Sequence, residues 1–186
     1  MSDIHLRGVH NYENICAAIA ATSGLVSQEV QIEAIKHFKG VEHRLEFVRE
    51  LDGVKWYNDS IGTSPSRTIA GLNSFDEKIV LIAGGYDKNL DYTPLAKPIL
   101  ERTSDVVLLG KTAAKISKAI AEEVEKENGV FPVYRVTSLE DAVRRARQLA
   151  KPGQVVLFSP ASASFDMFRN FAERGDKFKE LVNELE

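Results

Sequence analysis

Apolar residues along this chain keep two different rhythms. Between Tyr12 and Phe38 they recur at every third or fourth position, as Ile15, Ala18, Ile19 and Thr22, then Ile32, Ile35 and Phe38. That spacing predicts two short amphipathic helices, with Gly24 as the stop of the first and Ser27 as the cap of the second. From Leu45 onward, short apolar runs alternate with longer amphipathic ones. Strands are predicted at 45–49, 54–58, 78–83, 106–109, 133–136 and 155–159, and helices at 66–75, 94–102, 112–126, 138–150 and 165–185. In the third of those helices Ile116, Ile120 and Val124 share a face, and Thr137 with Glu140 has the spacing of a capping box before the fourth. Apolar strands separated by helices predict an α/β fold, a mainly parallel sheet with helices on both faces. The helices of residues 1–40 have no sheet of their own to cover and read as a remnant of something else, with a boundary at Gly40–His43.

Parallel sheets place ligands beyond the C-terminal ends of their strands. Three of those ends carry chemistry. After the second strand, Asp59-Ser60-Ile61-Gly62-Thr63-Ser64-Pro65 puts a carboxylate, hydroxyls and a glycine before a helix start, which suits a cation or a phosphate; a plain strand-to-helix turn with Asp59 as cap and Pro65 near its first position uses the same residues. After the third strand, Gly84-Gly85-Tyr86-Asp87-Lys88 offers close backbone approach and one point charge, or else a solvated loop. After the last strand, Ser159, Ser162 and Ser164 surround a helix start, either as an anion cradle or as simple caps. Taken together, the three loops point to a small anionic ligand.

Composition narrows the field. The chain has 186 residues, 24 Lys+Arg against 27 Asp+Glu and a formal net charge of −3, with no basic stripe, so nucleic acid is not the expected partner. Its longest apolar runs fall far short of the roughly 20 residues a bilayer-spanning helix needs, and no signal-peptide pattern opens the sequence. A cytoplasmic setting is expected. One cysteine and four scattered histidines show no metal-ligand spacing. Gly110-Lys111-Thr112 imitates the end of a phosphate-binding P-loop, but Asp105 stands where that loop needs its first glycine. Neither the dinucleotide fingerprint G-x-G-x-x-G nor the nucleophile elbow G-x-S-x-G occurs.

Several strings resemble one family: Gly8-Val9-His10-Asn11-Tyr12-Glu13-Asn14, Gly40-Val41-Glu42-His43-Arg44-Leu45-Glu46, Asn58-Asp59-Ser60, and Ser159-Pro160-Ala161-Ser162-Ala163-Ser164-Phe165-Asp166 with Phe168, Phe171, Arg174-Gly175 and Phe178. In this order they resemble the Mur ligase family over essentially the whole chain. The Asp59-Ser60 pair is most similar to the members that join D-glutamate to UDP-N-acetylmuramoyl-L-alanine, a step of peptidoglycan precursor synthesis. The resemblance implies a Rossmann-like C-terminal amino-acid-binding domain over residues 41–186, preceded in residues 1–40 by the last helices of a central ATPase domain. It also implies that the P-loop and most of the ATP and Mg contacts lie outside this chain, which alone would then be inactive.

The family chemistry so implied is phosphorylation of a carboxylate to an acyl phosphate, followed by attack of the incoming amine. By motif position, Asn11 and Asn14 match residues near the adenine, and Arg44 and Asp59 match residues at the phosphates and ribose. Thr63, Lys88, Ser164, Phe165 and Phe171 match positions lining the D-glutamate pocket. A monomer is expected, with no protein nucleophile and no resident metal in this chain. Two positions depart from the pattern: Ile61 stands where many members have Lys, and Ser162 where Cys is common. The alternatives are a non-catalytic anion-binding α/β module, or a related ligase with another amino-acid acceptor, against which the 159–178 string argues.

Overall fold

The computed structural model describes residues 6, 8, 10–126 and 128–186, without the side chain of His10; His5, Val9 and Glu127 lie outside the described residues. Two helices, α1 (His10–Thr22) and α2 (Gln28–His37), come first. They are followed by β1 (Glu46–Leu51), β2 (Val54–Asn58), α3 (Pro65–Leu72), β3 (Ile79–Gly84), α4 (Thr93–Arg102), β4 (Thr103–Leu109), α5 (Ala113–Lys126), β5 (Val133–Arg135), α6 (Leu139–Leu149), β6 (Val155–Phe158) and α7 (Phe171–Asn183). All six strands stand in one sheet of order β1-β2-β6-β3-β4-β5. Strands β2, β6, β3, β4 and β5 run parallel, and β1 is an antiparallel hairpin partner of β2. The mainly parallel α/β sheet expected from the apolar rhythm is present.

Alternation along the strands builds two cores. Ile79, Leu81 and Ala83 face a layer made with Leu72, Leu95, Ile99, Ile116 and Ile120 of α3, α4 and α5. Val80 and Ile82 face the opposite layer with Leu139, Val143, Phe178 and Val182 of α6 and α7. Burial on both faces explains why the central strands read as unbroken apolar runs. By contrast, α2 buries no residue. Of the apolar positions predicted for the first two helices, Ile15 and Ile35 are half-buried, while Ile19, Ile32 and Phe38 remain exposed. Gln31 joins the pair by donating from Nε2 to Thr22 Oγ1 (2.8 Å) and to the Ile19 carbonyl (3.1 Å).

Two local expectations are corrected. The cap of α6 is Ser138, whose Oγ accepts from Asp141 N at 3.0 Å; the capping pair is Ser138–Asp141, one residue later than Thr137–Glu140. The last helix begins at Phe171 and not at Phe165. Asn170 caps it by accepting from Glu173 N at 2.9 Å, so residues 165–170 form a turn and remain available to the strand-end loops. An Asn has the short side-chain acceptor that starts a helix, and this signal outweighs the continuing apolar spacing of Phe165 and Phe168.

Candidate functional site

Register brings the first two loops together. Asn58 is paired with Phe158, and Phe158 with Ile82, so the residues leaving β2, β6 and β3 emerge side by side. Asp59 and Ser159 are therefore neighbours: Ser159 Oγ donates to Asp59 Oδ2 at 2.6 Å and lies 2.9 Å from Thr68 Oγ1. Leu45 N approaches Asp59 Oδ1 at 3.4 Å. Asp59 is only 5% exposed. Burial pushes its carboxyl up to about 6, against the opposing pull of the Ser159 hydroxyl, the Leu45 amide and the Arg44 and Arg67 charges.

Asp59 borders a cleft of about 300 Å³ shared with Asn14, Arg44, Ile61 and Arg67. A second cleft, of about 440 Å³, adjoins it between α1, α2 and the 38–45 segment; Asn11, Asn14 and Arg44 line it together with the apolar Ile15, Ile35 and Phe38. All four residues expected on the nucleotide side thus border two contiguous clefts, one mainly apolar and one holding two guanidinium groups. Asn14 Nδ2 donates to Asn11 Oδ1 at 3.1 Å across the first turn of α1. An apolar slot for a flat ring beside two cations for phosphates is a chemistry that fits a nucleotide.

The serine cradle is smaller than expected. The Ser159 hydroxyl is committed to Asp59, and Ser162 Oγ lies 2.9 Å from both Tyr92 Oη and Thr112 Oγ1 in the interior. Only the hydroxyl of Ser164 makes no hydrogen bond to the described residues; its carbonyl accepts from Phe168 N at 2.8 Å. The paired glycines both adopt positive φ, at 114° and 148°. A Cβ on Gly84, at φ 114°, would come within 1.9 Å of the Leu109 carbonyl, so the glycine is required by the close approach of β3 and β4. Thr112 Oγ1 accepts from Gly85 N at 3.0 Å, and Tyr86 N donates to Ala163 O at 2.8 Å, fastening the loop after β3 to those after β4 and β6.

Lys88 and Phe165, from different loops, are in contact: the ammonium lies 5.5 Å from the ring centroid, and Tyr86 packs edge-on to the same ring at 6.0 Å. Phe165 is 59% exposed, an aromatic surface at the mouth of the site. Thr63 is half-buried on the neighbouring loop, two residues before the start of α3 at Pro65. Phe171 packs edge-on against His43 at 6.0 Å.

Arg174 is the residue whose role the sequence did not disclose, although it belonged to a recognised string. It is 2% exposed. Its Nη1 donates to the carbonyls of Ser162 and Ala163, both at 3.0 Å, its Nη2 to the carbonyl of Ser60 at 2.8 Å, and its Nε to Ser60 Oγ at 3.1 Å. Ser60 Oγ in turn donates to Phe171 O at 2.7 Å. One guanidinium therefore fixes the loop bearing Thr63 against the loop bearing Ser164 and Phe165. Burial lowers it to about 10, still protonated at neutral pH. Nearby, Glu42, His43 and Asp176 approach one another closely enough to suggest a metal site. Lys179 occupies that place, bonding Glu42, Glu46 (3.3 Å) and Asp176 (3.2 Å).

A doubly covered, mainly parallel sheet with cations, hydroxyls and an arginine-locked loop pair at its C-terminal edge defines an α/β domain of the Rossmann-like kind. A family model described as "Mur ligase, glutamate ligase domain" matches residues 43–162. The chain belongs to the Mur ligase family. It is 54% identical over 187 residues to UDP-N-acetylmuramoylalanine--D-glutamate ligase of Acetivibrio thermocellus, covering 100% of this chain and 40% of that protein. It is 50% identical to the protein of that name from Clostridium botulinum, over 98% of this chain and 40% of the relative. The chain thus spans about two fifths of the length of these relatives. Among solved structures, UDP-N-acetylmuramate-alanine ligase of Thermotoga maritima matches with TM-score 0.70 at 20% identity, covering 97% of this chain and 39% of that one. Folylpolyglutamate synthase of Mycobacterium tuberculosis, complexed with ADP and AMPPCP, matches with TM-score 0.66 at 15% identity, over 94% and 41%. These two likenesses concern the fold. No helix among the described residues is long and apolar enough to cross a membrane.

Proposed function

We propose that this chain supplies the amino-acid-binding part of an ATP-dependent ligase that joins D-glutamate to UDP-N-acetylmuramoyl-L-alanine. Residues 41–186 are read as the acceptor domain, and residues 1–40 as the end of the central ATPase domain. The exposed apolar positions Ile19, Leu25, Val30 and Ile32 support that division, because an isolated helix pair of this kind has no core of its own. The observation that carries the acceptor assignment is the Lys88 ammonium seated on Phe165 at the strand-end edge, beside the unbonded Ser164 hydroxyl.

On this reading the residues divide the work. Lys88 neutralises a carboxylate of D-glutamate, Thr63 and Ser164 offer hydroxyls, and Phe165 and Phe171 wall the site. Asn11 and Asn14 stand at the adenine, and Arg44 and Asp59 at the phosphates and ribose. ATP with Mg, held mainly by regions outside this chain, would supply phosphoryl activation of the carboxylate to be joined. The chain's own contribution is then orientation and charge neutralisation, the main needs of such a transfer. The reading places the working protein in the cytoplasm as a monomer.

The test is phosphate release from ATP by the full-length ligase carrying this chain, with UDP-N-acetylmuramoyl-L-alanine and either D- or L-glutamate. Release that requires D-glutamate, with its KM raised about 30-fold or more by Lys88→Ala, is the expected result, since losing one partner of a desolvated charge pair costs about 2 to 5 kcal/mol. Release indifferent to D-glutamate would remove the acceptor assignment.

A further inference from the structure

The Gly110-Lys111-Thr112 string is not a P-loop, but the fold delivers it to the same edge as Lys88. Gly110, at φ 73°, packs so closely that a Cβ there would lie 2.8 Å from Gly85 Cα and 2.6 Å from Asp166 Oδ2. Lys111 N then donates to Asp166 Oδ2 at 3.2 Å, and Thr112 closes the interior against Gly85 and Ser162. Between these anchors the Lys111 side chain is exposed, and its Nζ stands 5.6 Å from the centroid of Tyr86. Tyr86 and Phe165 form one edge-to-face pair, and Lys88 stands over the other ring. The sequence in space is Lys111, Tyr86, Phe165, Lys88.

Charge accounting singles out these two lysines. The third lysine of the neighbourhood, Lys115, is paired with Asp87. Neither Lys88 nor Lys111 has an ion pair among the described residues. Arg44 and Arg67 border the cleft around Asp59 instead, and Ile61 brings no charge. An amino acid with two carboxylates presents two negative charges to a site where Lys88 answers one. We propose that Lys111 is a second carboxylate-binding residue of the acceptor site. Lys88 and Lys111 bracket the Tyr86–Phe165 pair and hold a dicarboxylic amino acid by both ends. The inference rests on the D-glutamate reading above and adds the residue that selects for a dicarboxylate.

Steady-state kinetics of the full-length ligase with varied D-glutamate test it, using Lys111→Met, Lys111→Arg and Lys88→Met. Because the Lys111 side chain is exposed, Lys111→Met leaves the core intact, which a melting curve checks. The expected result is a KM for D-glutamate raised roughly ten- to thirty-fold in Lys111→Met, as for loss of one hydrogen bond to a charged group, with kcat and the KM for ATP within about threefold of the parent. Lys111→Arg should restore most of the lost affinity, because it keeps the charge. A Lys111→Met KM within about twofold of the parent, with Lys88→Met impaired, overturns the inference and leaves the acceptor reading standing. A fall in kcat at unchanged KM also overturns it. A parent enzyme with no dependence on D-glutamate removes the acceptor reading, and this inference with it.

Discussion

Asp59 makes the stability of this chain depend on pH in a direction opposite to that of an ordinary paired carboxylate. Its folded value of about 6 lies above the reference value of 3.8, because burial disfavours the charged form more than Ser159, Leu45 N and the two arginines favour it. The folded state therefore binds the proton more tightly than the unfolded chain. The stability this confers is fully present below pH 3.8 and is lost as pH rises through 6. The full span is about 3 kcal/mol, of which about 2 kcal/mol falls between pH 4.5 and pH 7.5. Glu42 and Asp91, exposed, and Asp87 and Glu173, half-buried, are all lowered by hydrogen bonds and contribute the opposite slope, so the parent profile alone does not isolate the effect. The difference between the parent and Asp59→Asn does. Urea unfolding of both chains at a series of pH values should show the parent losing about 2 kcal/mol relative to Asp59→Asn on going from pH 4.5 to 7.5. Parallel profiles, agreeing within about 0.5 kcal/mol, would mean that Asp59 titrates as an exposed carboxylate and that the burial argument is wrong.

Arg174→Met should cost about 3 to 5 kcal/mol in the same assay, since it leaves the carbonyls of Ser60 and Ser162 without their donor in the interior and that of Ala163 with Tyr86 N alone. Arg174→Lys should recover only part of this, because an ammonium lacks the planar fork; a loss below about 1 kcal/mol for Arg174→Met would show that the loops hold themselves. Gly84→Ala should lower the melting temperature by an amount equivalent to more than about 2 kcal/mol, as the added Cβ would meet the Leu109 carbonyl.

The sheet was legible because its strands are buried on both faces: runs such as Ile79–Gly84 have no polar position to confuse the period. Helices α3 to α6 were legible by their apolar stripes; most ends fell within a residue of those observed, but α3 stops at Leu72, three residues before the expected 75, and the start of α6 shifts where Thr137 and Ser138 compete as caps. The start of α7 was misplaced because Phe165 and Phe168 continue a helical spacing while forming a turn beside the site. At the candidate site, strand-end position was enough to single out Asp59, Lys88 and Ser164 as candidates. It could not separate the hydroxyls spent inside the protein, those of Ser159 and Ser162, from the one left over. The bonding of Arg174 and the proposed role of Lys111 were illegible for a different reason: Ser60, Tyr86 and Asp166 lie far from them in sequence, and only the adjacency of β2, β6, β3 and β4 brings them together.

Three of the four bonds of Arg174 end on carbonyl oxygens, atoms that every residue possesses. The helix holding this arginine thus dictates the path of the two loops while reading one of their side chains alone, the hydroxyl of Ser60. Shape and selectivity are written in separate alphabets at this edge of the sheet. On the proposed reading, exchanging Thr63, Ser164 or Phe165 for other residues would retune which amino acid is accepted without disturbing the frame that presents them.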